Sequence, residues 1–219
     1  DTGIGTLPIV NFGSEDLKKK YLQKIASGDW LSSYALTEPG SGSDALSLRT
    51  EARLSTDGQY YILNGSKQFI SNGGWAKVLI TFAKIDGEKL TGFIIDPESP
   101  GVIRQEEKNK LGLHGCSTCN IILENVQVPV ENILGEIGKG ADIAFNSLNI
   151  GRFKLGAAVL GGCKTAQRDD REDRLGQREG HVQKGRDLAG PVDLSRLVEL
   201  LGQGVEEALQ QEDGVAAGD

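Results

Sequence analysis

Apolar residues recur at helical spacing near the start of the chain. Leu17, Tyr21 and Ile25 follow one another at every fourth position, and Ser14 stands where a helix N-cap would stand. A glycine after this apolar stripe supplies a stop signal. The spacing therefore predicts an amphipathic helix over 15–27.

Between Trp30 and Pro129 the pattern changes to short runs rich in Val, Ile, Thr, Tyr and Phe, which is typical of strands. Turn-forming pairs separate the runs, among them Asp57-Gly58 and Asn64-Gly65. Closely spaced turns favour antiparallel connections, so we expect an antiparallel β-barrel or sandwich. The runs predict strands at 33–37, 47–54, 59–64, 67–71, 77–84, 90–96, 102–107 and 119–124.

Helical spacing returns after Gly140 and continues to about Ala166. The order of helix, β domain and helix indicates an α+β fold in which the barrel or sandwich is flanked by helices. The apolar face of the last helix consists of Ala141, Ala144, Phe145, Leu148, Leu155 and Val159.

The composition breaks at Gln167. Residues 167–219 hold 7 Lys plus Arg and 13 Asp plus Glu, against 24 and 31 in the whole chain, and they contain no aromatic residue. Few side chains before Gly190 could bury a core, so we expect a largely disordered acidic tail. An apolar stripe from Leu194 to Leu209 would make that tail partly helical. So abrupt a break is what a shifted reading frame or a fusion junction would produce.

The overall composition excludes several kinds of partner. The formal net charge is −7 with a pI near 5.0, and no basic stripe is present, which argues against nucleic acid. No run approaches the roughly 20 apolar residues of a membrane span. Three cysteines, an odd number, favour a soluble protein of a reducing compartment, either the cytoplasm or the mitochondrial matrix. The chain starts at Asp1 and contains no methionine, which we interpret as a fragment or a processed product.

The segment YALTEPGSGSD, from Tyr34 to Asp44, is a strand followed by a loop of small residues. Its GSGSDA string fits the G-x-G-x-x-A dinucleotide fingerprint, but that fingerprint needs a helix directly after it, and the next residues alternate like a strand. We therefore reject a nicotinamide site. Two interpretations stay open: an ordinary Pro-Gly connection between strands, or a loop whose N–H groups and hydroxyls meet a ligand.

Four strings carry the strongest motif signal: TEPGSGSD at 37–44, NGSKQFISNGG at 64–74, VPVENILGEIGKG at 128–140 and NIGRF at 149–153. In order and spacing they resemble the acyl-CoA dehydrogenase family, and most closely its very-long-chain branch. The resemblance covers residues 3–166. It implies an FAD-dependent oxidoreductase that forms an α,β double bond in fatty acyl-CoA thioesters, a step of fatty acid β-oxidation.

The resemblance also implies a division of the chain into segments. In this division, 1–29 is the end of an N-terminal helical domain, and 30–130 is the middle β domain that binds flavin and acyl-CoA. The first helix of a C-terminal helical domain would be 131–166, followed by an atypical acidic tail, 167–219, unrelated to the family.

The implied cofactor site consists of one loop and one strand. Thr37 would hydrogen-bond the pyrimidine side of the flavin ring, Phe69 would cover the ring, and Ser71 would hydrogen-bond near N5. Phe69 stands where the family has Trp, so the stacking surface is kept and the indole donor is lost. The alternative for Phe69 is an ordinary core aromatic of a strand. The FAD-binding residues implied are Tyr34, Ala35, Leu36, Thr37, Glu38, Pro39, Gly40, Ser41, Gly42, Ser43, Phe69, Ile70 and Ser71.

The implied acyl-CoA site lies partly on the last helix. Its residues are Ser43, Asn149, Ile150, Gly151 and Arg152. Arg152 suits an anionic or carbonyl-rich segment of CoA, although a solvated helix arginine is the alternative. Further partners implied by the family are an electron-transfer flavoprotein as electron acceptor and other copies of the chain in a homo-oligomer.

No catalytic residue can be assigned. Some family members place their base glutamate at the position of Gly151, and others carry it in a downstream Glu-Gly-Thr motif, in a domain whose Arg-x-x-Phe-Gly loop holds the FAD pyrophosphate. Neither motif occurs here. Because a carboxylate must remove the weakly acidic α-proton, we expect an incomplete dehydrogenase. Two alternatives stay open: an inert remnant that binds flavin or a partner, and an acyl-CoA oxidase-like flavoenzyme. Cys116 and Cys119 form a C-x-x-C without a second ligand pair, so we predict no metal site.

Overall fold

The computed structural model describes residues 3–178. The chain divides into two compact units, Asp1–Cys163 and Lys164–Asp219, and the described part of the second unit is the end of a helix. The apolar stripe from Leu194 to Leu209, and the part of the expected disordered tail that follows residue 178, lie outside the described residues.

Three α-helices occur in the described residues: α1 Leu7–Phe12, α2 Glu15–Ala26 and α3 Gly140–Arg178. Helix α2 confirms the predicted amphipathic helix. The N–H of Leu17 donates to the Ser14 hydroxyl at 3.3 Å, and the three apolar residues of the stripe are buried. The pattern does not predict α1, because six residues are too few to show a helical period.

The eight described strands form one sheet. Its hydrogen-bonded order is β6-β7-β3-β2-β4-β5-β8, and β1 pairs with β4 outside this path. The strands are β1 Ser32–Ala35, β2 Glu51–Leu54, β3 Tyr60–Ser71, β4 Val78–Ile85, β5 Lys89–Ile95, β6 Val102–Glu106, β7 Thr118–Pro129 and β8 Ile133–Leu134. The predicted β domain flanked by helices is therefore confirmed.

The sheet differs from the expectation in being open and mixed. Its path ends at β6 and β8, and both β1 and β2 run parallel to β4, while the other pairings are antiparallel. These two strands share one edge of β4: β1 lies along Val78–Thr81 and β2 along Lys84–Ile85. Parallel pairing joins strands that are distant in sequence, so turn spacing does not reveal it.

Strand β3 is one 12-residue strand where the pattern predicts two strands and an Asn64-Gly65 turn. That prediction is wrong. Gly65 lies against Thr50, so closely that a Cβ built on it would come within 2.4 Å of the Thr50 Oγ1. Asn64 bonds across the sheet to Asn125, and the register shifts between Leu63 and Gly65. Glycine is needed at position 65 because β3 passes close to Thr50 at a bulge, and not because the chain reverses direction there.

The buried apolar residues form two clusters, one on each side of strands β4 and β5. The first lies between strands and includes Leu63, Phe93 and Ile121. The second packs the helices against the other side of β4 and β5, through residues such as Ile25, Phe82 and Ile143. The helices therefore cover one side of the sheet and leave a different surface for a site.

Helix α3 is longer than predicted. It does not end near Ala166 but continues to Arg178, so the described part of the tail, 167–178, is helical. That segment contains no proline and alternates acidic with basic residues, a composition that supports a helix without any core to bury. Of the predicted apolar face only Ala144 is buried, Ala141 and Leu148 are half-buried, and the remaining members are exposed, namely Phe145, Leu155 and Val159. None of the described helices is long and apolar enough to cross a membrane.

Candidate functional site

The loop after β1 and the end of β3 lie side by side. The N–H of Gln68 donates to the Thr37 carbonyl at 2.8 Å, and the Ser33 hydroxyl donates to the Ser71 carbonyl at 2.7 Å. The side-chain amide of Asn72 donates to the Ser32 carbonyl at 3.3 Å. Two segments that are separate in sequence thus form one surface, which we call the motif wall: 37–43 and 68–71.

A β-bulge presents Phe69 on this wall. Lys67 pairs with Ile121 and Ile70 with Cys119, so β3 advances three residues while β7 advances two. Phe69 has φ 57, and its side chain is 60% exposed. A left-handed conformation costs a bulky residue about 1–3 kcal/mol and is found mostly at functional sites. The alternative that Phe69 is a core aromatic is wrong.

The glycine loop leaves open space beside its backbone. Glu38 and Ser41 exchange backbone hydrogen bonds of 3.0 and 3.1 Å, which close a tight turn. Neither Gly40 nor Gly42 has a positive φ, and a Cβ built on either meets no protein atom within 4 Å. Neither packing nor backbone strain therefore requires glycine there, and both residues face room that a ligand could fill.

A 3-10 turn of three residues, Ala45–Ser47, follows this loop instead of a helix. A dinucleotide fingerprint places a helix N-terminus at the pyrophosphate, and a turn of this length has no such terminus. The geometry therefore supports the rejection of a nicotinamide site.

Three hydroxyl groups on the motif wall are available to a ligand. The side chains of Thr37, Ser43 and Ser71 make no hydrogen bond within the described part of the chain. Ser43 and Ser71 are exposed, and Thr37 is half-buried. Ser41 differs, because its hydroxyl donates to the Asp44 carbonyl at 2.5 Å and stabilises the loop itself. An exposed aromatic beside free hydroxyls suits a flat heterocycle with polar edges.

Several residues implied for the cofactor site contribute no side chain to this surface. Ala35 and Ile70 are buried in the first cluster, and Leu36 is buried in the second. Only their backbone is near the motif wall. Pro39 is exposed at the turn.

A buried ion pair lies directly behind the motif wall. The Lys67 ammonium is 2.7 Å from Glu38 Oε1, and the side chains are 0% and 6% exposed. Lys67 also donates to the carbonyls of Phe82, at 2.7 Å, and Leu36, at 3.4 Å. The Glu38 carboxylate accepts hydrogen bonds from the backbone N–H groups of Arg49, at 2.6 Å, and Thr50, at 3.0 Å. All three ammonium protons and both carboxylate oxygens thus have partners, as buried charges require.

Burial and pairing act in opposite directions on these two groups. For Lys67, burial lowers the pKa to about 8, and the charge and hydrogen bond of Glu38 offset only part of this effect. For Glu38, burial alone would raise the pKa, but Lys67 together with the Thr50 and Arg49 hydrogen bonds outweighs burial and lowers it. Both residues lie within the sequence motifs, but the pattern of residues does not identify Lys67 as a functional residue. The feature that could have identified it is the presence of a lysine at an inward-facing position of a strand with alternating burial.

Tyr34 connects the motif wall with helix α3. Its hydroxyl donates to the Ala144 carbonyl at 3.1 Å, and its ring lies 5.2 Å from that of Phe82. Burial raises the pKa of the Tyr34 phenol above its usual range, so it stays a neutral donor. Tyr34 is therefore a structural contact between β1 and α3, and its role in cofactor binding stays a prediction.

The residues implied for acyl-CoA binding lie on α3 beyond this contact. Asn149 and Arg152 are exposed, and the Arg152 guanidinium donates to Asn149 Oδ1 at 2.9 Å. Ile150 and Gly151 are half-buried, and a Cβ built on Gly151 would meet Ile4 Cγ2 at 3.4 Å, an ordinary contact. The roles of these four residues stay predictions.

The cysteines of the C-x-x-C are free thiols. Cys119 is buried on β7, and burial is the main cause of its raised pKa. No group of three or more His, Cys, Asp or Glu residues able to hold a metal ion occurs in the stretch that the structure describes.

Comparison with known proteins agrees with this geometry. Residues 33–126 match the family model described as "Acyl-CoA dehydrogenase, middle domain". The chain is 54% identical over 162 residues to a probable acyl-CoA dehydrogenase of Bacillus subtilis, covering 74% of this chain and 27% of that protein. It is 44% identical over 167 residues to the mitochondrial very long-chain specific acyl-CoA dehydrogenase of Macaca fascicularis, covering 72% and 26%.

A solved structure shows the same fold. The crystal structure of an acyl-CoA dehydrogenase from Bacillus anthracis, complexed with FAD, superposes with a TM-score of 0.72 at 55% identity, covering 75% of this chain and 29% of that one. The open sheet therefore has the fold of an acyl-CoA dehydrogenase middle domain, and residues 33–126 belong to that domain family. The chain spans about a quarter of the length of these relatives.

Proposed function

We propose that the motif wall is the flavin-facing surface of an FAD-dependent acyl-CoA dehydrogenase. The observation that supports this most directly is Phe69, a strained aromatic that is held outside the core beside free hydroxyls. The family membership of residues 33–126 and the FAD complex of a relative at 55% identity support the choice of cofactor. A parent protein of this family would act on fatty acyl-CoA thioesters.

Bound FAD would supply the hydride acceptor for oxidation at the β-carbon of the acyl chain. The residues of the motif wall would hold and orient it. Phe69 would offer its ring as a stacking surface, and the Thr37 and Ser71 hydroxyls would donate to polar atoms at the edge of the heterocycle. The glycine loop allows the ligand to approach the backbone closely.

Acyl-CoA would contact the same region from the side of helix α3. The Ser43 hydroxyl and the segment 149–152 are the groups we propose for this role, and Arg152 supplies the positive charge that a phosphorylated carrier needs. Electron-transfer flavoprotein as acceptor, and assembly with other copies, are proposed on family membership alone.

This chain by itself is proposed to bind flavin without turning over substrate. Proton abstraction from the α-carbon needs a positioned carboxylate, and position 151, where some members carry it, is glycine. The proposed division into segments at 29, 130 and 166 belongs to the same hypothesis. An inert remnant that binds a partner subunit in place of flavin is the competing description of the chain.

Titration of the 219-residue chain with FAD tests the proposal. We expect saturable binding, and Phe69→Ala should weaken it by about fivefold or more, because about 1–3 kcal/mol of stacking is lost. Leu54→Ala is a suitable control, since Leu54 is 52% exposed on β2 and outside the motif wall. Absence of saturable binding, or equal effects of both substitutions, would refute the flavin site. Oxygen consumption with peroxide release in the presence of acyl-CoA would instead indicate an oxidase.

A further inference from the structure

The Lys67–Glu38 pair connects four of the segments around the bulge. Glu38 belongs to the glycine loop, Lys67 to β3, and the Phe82 carbonyl to β4. The backbone N–H groups on the far side of Glu38 come from the residues leading into β2. One buried contact therefore fixes four stretches of chain that are distant in sequence.

The pair lies immediately beside the strained residue. Lys67 precedes Gln68, whose N–H donates to the Thr37 carbonyl, and Thr37 precedes Glu38. The ion pair and this backbone bond thus connect the same two segments at consecutive positions. On the other side, the N–H of Phe69 donates to Asn120 Oδ1 at 3.4 Å. Both flanks of the bulge are held by polar contacts.

Stability alone does not explain such a pair. Removing two charges from water costs about as much as their attraction returns, and apolar residues of similar volume are often as stable or more stable. What a buried pair provides is geometric specificity, because each partner must satisfy particular donors and acceptors. Here the geometry it specifies is the approach of the glycine loop to a left-handed aromatic.

We propose that Lys67 and Glu38 are positioning residues for the cofactor surface, which hold the bulge so that Phe69 is presented to flavin before the ligand arrives. This inference depends on the proposed flavin-binding function. Without the pair, the bulge would spend part of its time in conformations that do not bind, and the apparent affinity falls by the fraction of competent molecules.

Two variants and one control test the proposal in the 219-residue chain. Lys67→Met removes one partner, and the double variant Glu38→Gln with Lys67→Met removes both charges, so that no unpaired charge prevents folding. Phe93→Leu is the control, because Phe93 is fully buried and contacts Tyr61 at the other end of β3. It should lower the melting temperature without touching the bulge.

The readouts are the Kd for FAD and the hydrogen exchange rate of the Gln68 amide without FAD. We expect a Kd at least about tenfold higher and Gln68 exchange at least about tenfold faster in the pair variants, with neither change in Phe93→Leu. An unchanged Gln68 rate, or an equal loss of affinity in the control, overturns the positioning role. If the unmodified chain does not bind FAD, the proposed function fails, and the exchange rate still decides whether the pair holds the bulge.

Discussion

Substitution of two glycines in the motif-bearing segments, Gly65 and Gly42, should separate an effect on folding from an effect on FAD binding. Gly65 lies inside β3, and a Cβ there would come within 2.4 Å of Thr50 Oγ1 and 2.8 Å of its Cα. The nearest atoms include backbone, so the clash cannot be relieved by a rotamer change alone. Gly42 is the matched case: it lies on the motif wall, has no positive φ, and its Cβ would meet nothing within 4 Å.

The expected magnitudes follow from these distances. Gly65→Ala overpacks the contact between β3 and Thr50 and should cost about 1–3 kcal/mol, which lowers the melting temperature by roughly 2–4 °C per kcal/mol in a chain of this size. Gly42→Ala should leave the melting temperature unchanged or slightly raised, because alanine reduces the entropy of the unfolded chain. Its methyl group should nevertheless weaken FAD binding, since it occupies the space that we assign to the ligand.

Thermal unfolding by circular dichroism and FAD titration of both variants give the required comparison. At temperatures well below its melting point Gly65→Ala should still bind FAD, with a smaller loss of affinity than Gly42→Ala, because its clash reaches the motif wall only through the hydrogen bond between Thr50 and Glu38. If Gly42→Ala destabilises the fold as much as Gly65→Ala, the loop packs against protein and the open space does not exist. If Gly42→Ala folds and binds FAD normally, the ligand does not approach this loop.

Two further variants address the contacts behind the motif wall. Because the pKa of Glu38 is lowered below its ordinary value of 4.5, the unfolded chain takes up a proton there first as the pH falls, so this group stabilises the fold above 4.5 and the contribution is lost progressively below it. Melting temperatures between pH 7 and pH 3 should therefore fall less steeply in the double variant Glu38→Gln with Lys67→Met, which leaves no unpaired buried ammonium, than in Glu51→Gln, an exposed control. Parallel curves would show that Glu38 does not carry this effect. Tyr34→Phe should lower the free energy of unfolding, measured with urea, by about 1–2 kcal/mol, because the Ala144 carbonyl loses its donor while the ring still packs on Phe82. A decrease within experimental error would mean that water replaces the hydroxyl.

Local patterns predicted the elements whose neighbours are close in sequence. The stripe from Leu17 to Ile25 needs only its own spacing to indicate α2, and most strands coincide with runs of β-branched residues. Errors occurred where a distant contact decides the outcome. Asn64-Gly65 has the composition of a turn, but the approach of Thr50 and the pairing with β7 keep it in a strand. The apolar pattern ends α3 too early, because a lack of apolar residues excludes a core but does not exclude a helix.

For the candidate site, the order of residue types is enough to indicate which segments carry the chemistry: the loop of small residues at 37–43 and the strand ending at 71 are recognisable as strings of residue types. The three-dimensional arrangement is needed to show that Phe69 is left-handed and exposed, that Ala35, Leu36 and Ile70 offer no side chain to a ligand, and that Lys67 is paired behind the motif wall. The physical reason is that conformation and burial at these positions depend on strand register and on hydrogen bonds between segments about thirty residues apart, and a one-dimensional pattern contains no information on register.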